Sequence, residues 1–156
     1  RPAAEVAGLV VSTVADAEDL DQFRTVYRNG LPGPEVEQYL TACVNGWRHR
    51  APLVDIVLLV AHVDGAPVGM LSLYRFGTFA GIYAVATVPT FRRRGAARAL
   101  NERAVSIAAA WGCRQIFLQT VADEEAEQAF QRLGYVTRYL RDGYAPAEAV
   151  ARMTHG

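Results

Sequence analysis

Residues 87–100 read TVPTFRRRGAARAL: a short apolar stretch passes through a proline into three arginines, a glycine and an alanine-rich segment. This order predicts a strand that ends near Pro89, a basic turn, and a helix that begins within the turn. A helix N-terminus leaves its first four backbone N–H groups unpaired and carries about half a positive charge, so it favours a bound anion. Gly95 lets the backbone approach a ligand closely. We therefore predict an anion site over residues 92–98, which we call the cradle.

The spacing of the glycines excludes two common kinds of phosphate-binding loop. A Walker loop requires G-x-x-x-x-G-K-(S/T) and a dinucleotide fingerprint requires G-x-G-x-x-G, and the sequence contains neither. It contains Arg92-x-x-Gly95-x-Ala97 directly after the apolar stretch and proline. The alternative interpretation is an ordinary turn from strand to helix that carries exposed arginines.

The motif resembles the acetyl-CoA signature of the GNAT acetyltransferase superfamily, (Q/R)-x-x-G-x-(G/A). The resemblance extends from about residue 56 to residue 135, and residues 126–135, AEQAFQRLGY, are similar to that family's second helix and the strand after it. It implies an α/β (α+β) fold with a mixed, mostly antiparallel sheet of about six to seven strands, flanked by about four helices. The fourth and fifth strands are expected to be parallel and splayed.

The resemblance also implies acetyl-CoA as the cosubstrate. The pantetheine arm is expected to pair with strand backbone in the gap between the splayed strands, and the phosphates are expected at the cradle. The residues implied in cofactor binding are Val85, Ala86, Thr87, Arg92, Arg93, Arg94, Gly95, Ala96, Ala97 and Arg98, together with Asp123 and Phe130 further along the chain.

Apolar periodicity and turn residues predict the elements. Strands are predicted at residues 8–14, 56–63, 67–76, 82–88, 115–120 and 135–140. Helices are predicted from Asp16 to the breaker residues 29–34, from Pro34 through Trp47, over residues 93–111, and from an Asp123 cap to Gly134. The loop between the first two helices is expected either to form a mobile wall of the acceptor pocket or to be a plain connection.

Composition indicates one globular domain. The chain has 156 residues, of which 51% are hydrophobic and 21% charged, as in ordinary soluble domains. We predict a leader or linker at residues 1–7, a single domain at 8–146 and a C-terminal tail at 147–156. Because the chain does not begin with Met, we expect a trimmed or processed product or a segment of a longer protein.

The net charge and the two cysteines indicate which classes of partner the chain is not expected to bind. Net charge is zero, so no global field favours nucleic acid or a membrane. Residues 1–80 nevertheless carry 6 Arg and 9 acids, whereas residues 81–156 carry 10 Arg and 7 acids, so the positive half contains the cradle. Cys43 and Cys113 lie on apolar stretches and are expected to be small buried side chains rather than a disulfide or metal pair. No apolar run of membrane length is present, and we expect a cytoplasmic protein without a metal.

Acetyl transfer to an amine requires a polarised thioester carbonyl, a neutral amine and a proton for the departing thiolate. Where many relatives place a carboxylate on the fourth strand, this chain has Tyr83, and a phenol is not a base at neutral pH. Where many relatives place a tyrosine acid, it has Phe130. Where an asparagine commonly opens the same helix, it has Asp123, which keeps a cap and adds negative charge.

Two hypotheses of function follow from these departures. The first is an N-acetyltransferase that moves acetyl to a primary amine of a small molecule or peptide, with help from proximity, a partner domain, or one of the candidates Tyr83, Tyr144, His62, Glu35 and Glu37. The alternative is a CoA-binding module with little turnover, such as one half of a tandem transferase. A structural domain without CoA is a third possibility. A homodimer also stays open, and His62 in a strand is more often structural than catalytic.

Overall fold

The computed structural model describes residues 7–31, 33, 36–49, 54–120 and 122–140. The chain divides into two compact units, Arg1–Gln119 and Thr120–Gly156. Residues 1–6 of the predicted leader and the whole predicted tail lie outside the described residues. The single domain over residues 8–146 stays a prediction.

The first unit is a sheet flanked by helices. Its elements are β1 (Leu9–Thr13), α1 (Ala17–Gly30), α2 (Val36–His49), β2 (Asp55–Val63), β3 (Ala66–Phe76), β4 (Phe79–Thr87), a 3₁₀ turn (Pro89–Phe91), α3 (Ala96–Ala110) and β5 (Gln115–Leu118). The strands form one sheet in the order β1-β2-β3-β4-β5, in which all neighbours are antiparallel except the parallel pair β4 and β5. This confirms the predicted fold class.

The number of strands differs from the prediction. The described residues contain five strands, not six to seven, and residues 135–140 form none. Val136, Tyr139 and Leu140 are largely exposed. The β-forming composition of this segment suggested a strand, but such side chains stabilise a strand only when they pack on a neighbour.

The sheet buries a different set of side chains on each face, because successive residues of a strand point in opposite directions. Val60, Met70 and Ala86 lie side by side in register and belong to the core cluster formed with α1 and α2. Gly69 is one residue out of phase with them and lies under Leu100 of α3, where a Cβ would stand 3.1 Å from Leu100 Cδ1. Helices α1 and α2 therefore cover one face and α3 covers the other.

Helix α1 begins as the sequence predicts and ends later. The Asp16 carboxylate accepts a hydrogen bond of 2.9 Å from the Asp19 amide and caps the helix. Asn29 and Gly30, predicted to break the chain, are instead the last residues of α1. Gly30 is buried, and a Cβ there would stand 2.7 Å from Ala86 Cβ. The glycine thus allows the end of α1 to approach β4 closely.

The starts of β4 and α3 also differ from the prediction, because residues with positive φ precede each element. The turn between β3 and β4 is confined to residues 77–78, with Gly77 at φ 59°, so β4 begins at Phe79 rather than at residue 82. Helix α3 begins at Ala96 rather than at Arg93. Arg93 and Gly95 have φ of 62° and 86°, and such left-handed residues cannot be part of a right-handed helix.

The second unit contains α4 (Glu125–Arg132). Asp123 does not cap this helix, contrary to the prediction, because it has φ 62° and the N-cap position is taken by Glu124. The Asp123 amide donates instead to Glu127 Oε2 at 2.8 Å. Gly134, at φ 95°, follows the helix as predicted, and its amide donates to the Gln131 carbonyl at 3.0 Å.

Candidate active site

The parallel strands β4 and β5 separate partway along β4. Their pairing runs from Phe79 opposite Gln115 to Ile82 opposite Leu118. Strand β4 continues to Thr87, and its residues 83–87 have no β5 partner in the described part of the chain. The predicted splay is therefore present. Val85, Ala86 and Thr87 lie on the part of β4 that pairs with β3 but has no partner in β5.

A β-bulge marks the point of separation. Ala84 pairs with Ser72 and Ile82 with Leu73, so Tyr83 is an extra residue without a partner in β3. A bulge bends its strand, increases the twist and redirects a side chain. Tyr83 therefore lies where β4 turns away from β5, and its side chain is 54% exposed.

The cradle follows the end of β4. Gly95 is the N-cap of α3 and provides no side-chain cap, and the first helical bond runs from the Ala99 amide to the Gly95 carbonyl at 3.0 Å. The amides of residues 96–98 therefore have no carbonyl partner within the helix. Ala96 is buried and Ala97 is half-buried, so small side chains flank these amides. The backbone provides an N-terminal anion site of the kind that the sequence predicts.

The four arginines of the cradle have different surroundings. Arg92 donates from Nε to the Thr87 carbonyl at 3.3 Å and from Nη2 to the Gly30 carbonyl at 3.5 Å. Its guanidinium thus connects the end of β4 with the C-terminus of α1, where a cation complements the helix dipole. It is held by protein carbonyls.

All four arginines are exposed. Arg94 Cζ lies 5.2 Å from the centre of the Phe91 ring, and Arg98 pairs with Glu102 at 2.8 Å on the next turn of α3. Arg93 makes no side-chain bond within the residues that the structure describes. Arg93 and Arg94 are therefore the guanidinium groups best placed to add charge around an anion at the cradle.

Four aromatic residues form a cluster beside the bulge, which we call the aromatic wall: Tyr74, Phe76, Tyr83 and Phe117. Sequence analysis selected only Tyr83 among them, because the residues come from three strands whose register was unknown. The alternation of Tyr74 and Phe76 on one strand was a weak signal that both rings face the same way.

Behind the wall lies a small buried polar cluster. Tyr74, Cys43 and Ser72 are neighbours there, and burial raises the pKa of both Tyr74 and Cys43. Burial likewise raises the pKa of the neighbouring Tyr27 to about 12. These groups stay protonated at neutral pH, so the cluster supplies neither a base nor a nucleophile. Both cysteines are free, and Cys43 is buried as predicted.

The remaining catalytic candidates do not gather at the separation of β4 and β5. His62 lies on β2, and β3 separates that strand from β4. Its Nε2 atom is 2.6 Å from Gln22 Oε1. Glu37 accepts a hydrogen bond of 3.0 Å from Arg28 Nη2, and its hydrogen bonds with Arg28 lower the pKa of the carboxyl. Glu35 and Tyr144 lie outside the described residues.

Asp123 and Phe130 belong to the second unit, and their part in a cofactor site stays a prediction. Phe130 is half-buried and meets the Tyr135 ring edge-on, with centroids 5.8 Å apart. Among the described residues, no group of three His, Cys, Asp or Glu side chains is placed to hold a metal ion. No helix within the described ranges has the length and apolar content needed to cross a membrane.

Solved structures of acetyltransferases share this fold. The aminoglycoside acetyltransferase AAC(6')-Iy, in complex with the bisubstrate analogue CoA-S-monomethyl-acetylneamine, is 17% identical, with a TM-score of 0.73 over 88% of this chain and 97% of that chain. The ribosomal-protein-S18-alanine N-acetyltransferase from Escherichia coli is 18% identical, with a TM-score of 0.70 over 90% of this chain and 86% of that one. An aminoglycoside acetyltransferase from an uncultured soil metagenomic sample, in complex with sisomicin, is 16% identical, with a TM-score of 0.64 over 89% and 97%.

No curated protein matches the chain in sequence. A family model does: the one described as the Acetyltransferase (GNAT) family matches residues 20–135, which include the whole cradle and both splayed strands. With the divergent parallel strands and the glycine-capped helix, this match shows that the chain belongs to the acetyltransferase (GNAT) family.

Proposed function

We propose that this chain is an acetyl-CoA-dependent N-acetyltransferase that moves the acetyl group directly to a primary amine of a small molecule or peptide. One observation carries the proposal: β4 extends beyond its pairing with β5, which ends at Ile82, and then leads through a short turn to a helix N-terminus that Gly95 opens at φ 86°. The gap between the strands accepts an extended chain with amide groups, and the helix N-terminus accepts phosphates. A pantetheine arm joined to a pyrophosphate has both features.

The chain's residues divide the work of binding. The backbone of Val85, Ala86 and Thr87 pairs with the pantetheine amides, and the amides of residues 96–98 hold the pyrophosphate. Arg93 and Arg94 add charge near the phosphates. Arg92 holds the end of α1 against the end of β4, so it positions the cradle rather than binding the anion.

In the transfer step the amine nitrogen attacks the thioester carbon, the new C–N bond forms and the C–S bond breaks. The nitrogen loses its proton to water, and the sulfur leaves as a thiolate that takes up a proton from water to give the free CoA thiol. A thiol has a reference pKa near 8.5, so the sulfur needs little help from an acid. Proximity alone supplies several kcal/mol to such a step. This supports turnover in a chain that has Tyr83 and Phe130 at the positions where many relatives have a base and an acid.

The solved complex of AAC(6')-Iy supports the cosubstrate, since its ligand contains a CoA portion. Two free cysteines and the use of acetyl-CoA are compatible with the cytoplasm, which we propose as the location.

Two measurements test the proposal. Calorimetry with acetyl-CoA is expected to show binding at one site. Release of free CoA thiol is then followed with a panel of amines, aminoglycosides, amino acids and peptides with free N-termini. Binding without turnover on any acceptor would favour a CoA-binding module without catalysis, such as one half of a tandem transferase. Absence of binding would overturn both.

A further inference from the structure

The aromatic wall is organised around one ring. The centre of the Tyr83 ring lies 5.0 Å from that of Tyr74, 6.1 Å from that of Phe76 and 6.3 Å from that of Phe117. The angles between the ring planes are 76°, 72° and 80°, so all three neighbours meet Tyr83 edge-to-face. This is the preferred geometry for aromatic pairs, so the four rings stabilise one another's positions.

The backbone and the core beneath the aromatic wall fix the positions of its rings. Gly81 lies under two of its rings, since a Cβ there would stand 2.7 Å from Tyr83 Cε2 and 3.0 Å from Phe117 Cζ. Tyr74 is partly buried and packs against the core cluster that α1 and α2 form with the sheet. The bulge sets the direction of Tyr83. The rings therefore form a preorganised surface.

The outer part of this surface is open. Tyr83 is 54% and Phe76 38% exposed, although most of the apolar residues of β3 and β4 are buried. Exposed rings that pack against one another offer an apolar surface on which a ligand can bind. It is also continuous with the gap proposed for the thioester, because Tyr83 is the residue at which that gap begins.

The wall has no charged member. Asp55, on the strand beside β3, is paired with Arg75 at 3.3 Å, and Arg75 also donates to the Gly77 carbonyl. A polycationic acceptor would gain little from such a surface, whereas an aromatic group gains edge-to-face and stacked contacts. A single ammonium group could also approach a ring face through a cation–π contact before it is deprotonated.

We propose that the acceptor is a primary amine that carries an aromatic group, and that this group packs against Tyr83 and Phe76 while the amine faces the thioester. The inference rests on the proposed function and narrows its acceptor. Tyr83 and Phe76 then determine acceptor specificity, and neither needs to exchange a proton.

The test compares 2-phenylethylamine, 2-cyclohexylethylamine and n-propylamine at saturating acetyl-CoA. We expect kcat/KM for the phenyl amine to exceed that of the propyl amine by about tenfold or more, because the ring buries additional apolar area. It should exceed that of the cyclohexyl amine by about threefold, since aromatic pairing adds to area burial. Spermidine should be a poorer substrate than 2-phenylethylamine.

Phe76→Ala is expected to reduce the preference for phenyl over propyl to about threefold or less, through KM of the amine, with KM of acetyl-CoA unchanged. Phe76→Leu, which keeps most of the volume, should remove mainly the preference for phenyl over cyclohexyl. Val105→Ala is the control, because Val105 is a similarly exposed apolar residue on α3, on the other face of the sheet.

Binding of 2-phenylethylamine to the CoA-loaded protein, measured by calorimetry, separates this inference from the proposed function. If the phenyl amine binds and no amine is acetylated, the proposed function fails and the aromatic site stands. If amines are acetylated with equal kcat/KM for phenyl and propyl, the aromatic acceptor is wrong while the transferase stands. If neither binding nor acetylation of the phenyl amine occurs, the inference is overturned. A preference that persists in both Phe76 variants also overturns it.

Discussion

The cradle and the aromatic wall lie at the two ends of the same stretch of β4, and they are built from different parts of the chain. The cradle consists of consecutive residues and presents backbone amides, made available by a left-handed Gly95. The wall presents side chains from three strands, with Tyr83 at its centre. A backbone site of this kind fixes which cofactor can bind, whereas a side-chain site can change with each substitution. We therefore expect the cofactor to be common to proteins with this fold and the acceptor to be particular to this chain.

The largest expected effect tests the backbone character of the cradle. Gly95→Val places a β-branched residue at φ 86° and a side chain beside the amides of residues 96–98. Charge-assisted hydrogen bonds contribute about 1.5–3 kcal/mol each, so loss of two should weaken acetyl-CoA by about 100-fold or more. Calorimetry measures the affinity, and thermal unfolding measures the accompanying loss of stability.

Gly112→Val is the matched control. Gly112 follows the other end of α3 at φ 72°, is exposed, and a Cβ there would meet nothing within 4 Å. Backbone strain of about 1–2 kcal/mol should lower the stability of both variants. Only Gly95→Val should lose acetyl-CoA. If both variants bind normally, the cradle does not hold the phosphates.

The same contrast explains which features of the structure could be predicted from the sequence. The cradle is local in sequence, and its proline, glycine and arginines predict both the end of a strand and the start of a helix. The left-handed Arg93 was not predictable, because arginine rarely adopts that conformation, and so the predicted helix began three residues too early. Gly30 was misinterpreted as a breaker, because only the position of Ala86 shows that it serves a close approach.

The wall depends on long-range geometry instead. It requires the register of β3 on β4, the bulge at Tyr83, and the parallel pairing that brings Phe117 opposite Gly81. None of these is encoded in a short motif. Asp123 was predicted as a cap from its residue type alone, whereas its backbone adopts φ 62° and its amide donates to Glu127.

The second prediction concerns the buried Tyr27 behind the aromatic wall and the stability of the fold at alkaline pH. Burial raises the pKa of Tyr27, behind the wall, from its ordinary value near 10 to about 12. A raised folded-state pKa favours the protonated form, so this stability is fully present below pH 10 and is lost between pH 10 and 12. The loss should be about 2 kcal/mol after allowance for partial solvent screening. Urea unfolding at pH 9.5 and 11.5 measures it.

Tyr27→Phe should remove part of the difference between the two pH values, because burial also raises the pKa of Tyr74 and Tyr135. Tyr39→Phe, at an exposed position on α2, should leave the difference unchanged. An unchanged pH dependence in Tyr27→Phe would place the alkaline sensitivity elsewhere, for instance at Tyr74.

The third prediction concerns the charges of the cradle. Arg94→Ala should weaken CoA by about tenfold, since a charge-assisted contact to phosphate is worth about 1.5 kcal/mol or more. The loss should be greater for CoA than for dephospho-CoA if the guanidinium meets the 3′-phosphate, and affinity should fall with added salt. Arg103→Ala removes the same charge from an exposed site further along α3 and should have little effect. Equal weakening of CoA and dephospho-CoA would put the Arg94 contact at another phosphate.

Arg92→Ala sharpens the distinction between binding and positioning. Its guanidinium is bonded to the Thr87 and Gly30 carbonyls, so we expect a lower unfolding temperature with a smaller change in the salt dependence of CoA binding than Arg94→Ala shows. A large change in salt dependence with unchanged stability would show that Arg92 binds the anion directly.

The smallest expected effect concerns Phe130, which the sequence resemblance predicts to stand where many relatives have a tyrosine that protonates the sulfur. Phe130 is half-buried and packs edge-on against Tyr135, so Phe130→Tyr is a near-isosteric change that should cost less than about 1.5 kcal/mol. A general acid is worth about 10²–10⁴-fold where the leaving group needs protonation. A thiolate needs it less, and we expect kcat to rise severalfold, with little change in KM of acetyl-CoA.

Phe130→Leu is the control for packing, because it alters the ring without adding a hydroxyl and should not raise kcat. If Phe130→Tyr unfolds readily, the hydroxyl is sealed in apolar packing and the correspondence with the tyrosine of relatives is wrong. If the variant folds and turns over no faster, protonation of the sulfur does not limit the reaction. The contribution of the chain then lies in binding the phosphates of acetyl-CoA at the cradle and holding the amine at the wall, which is the division of labour that the two regions suggest.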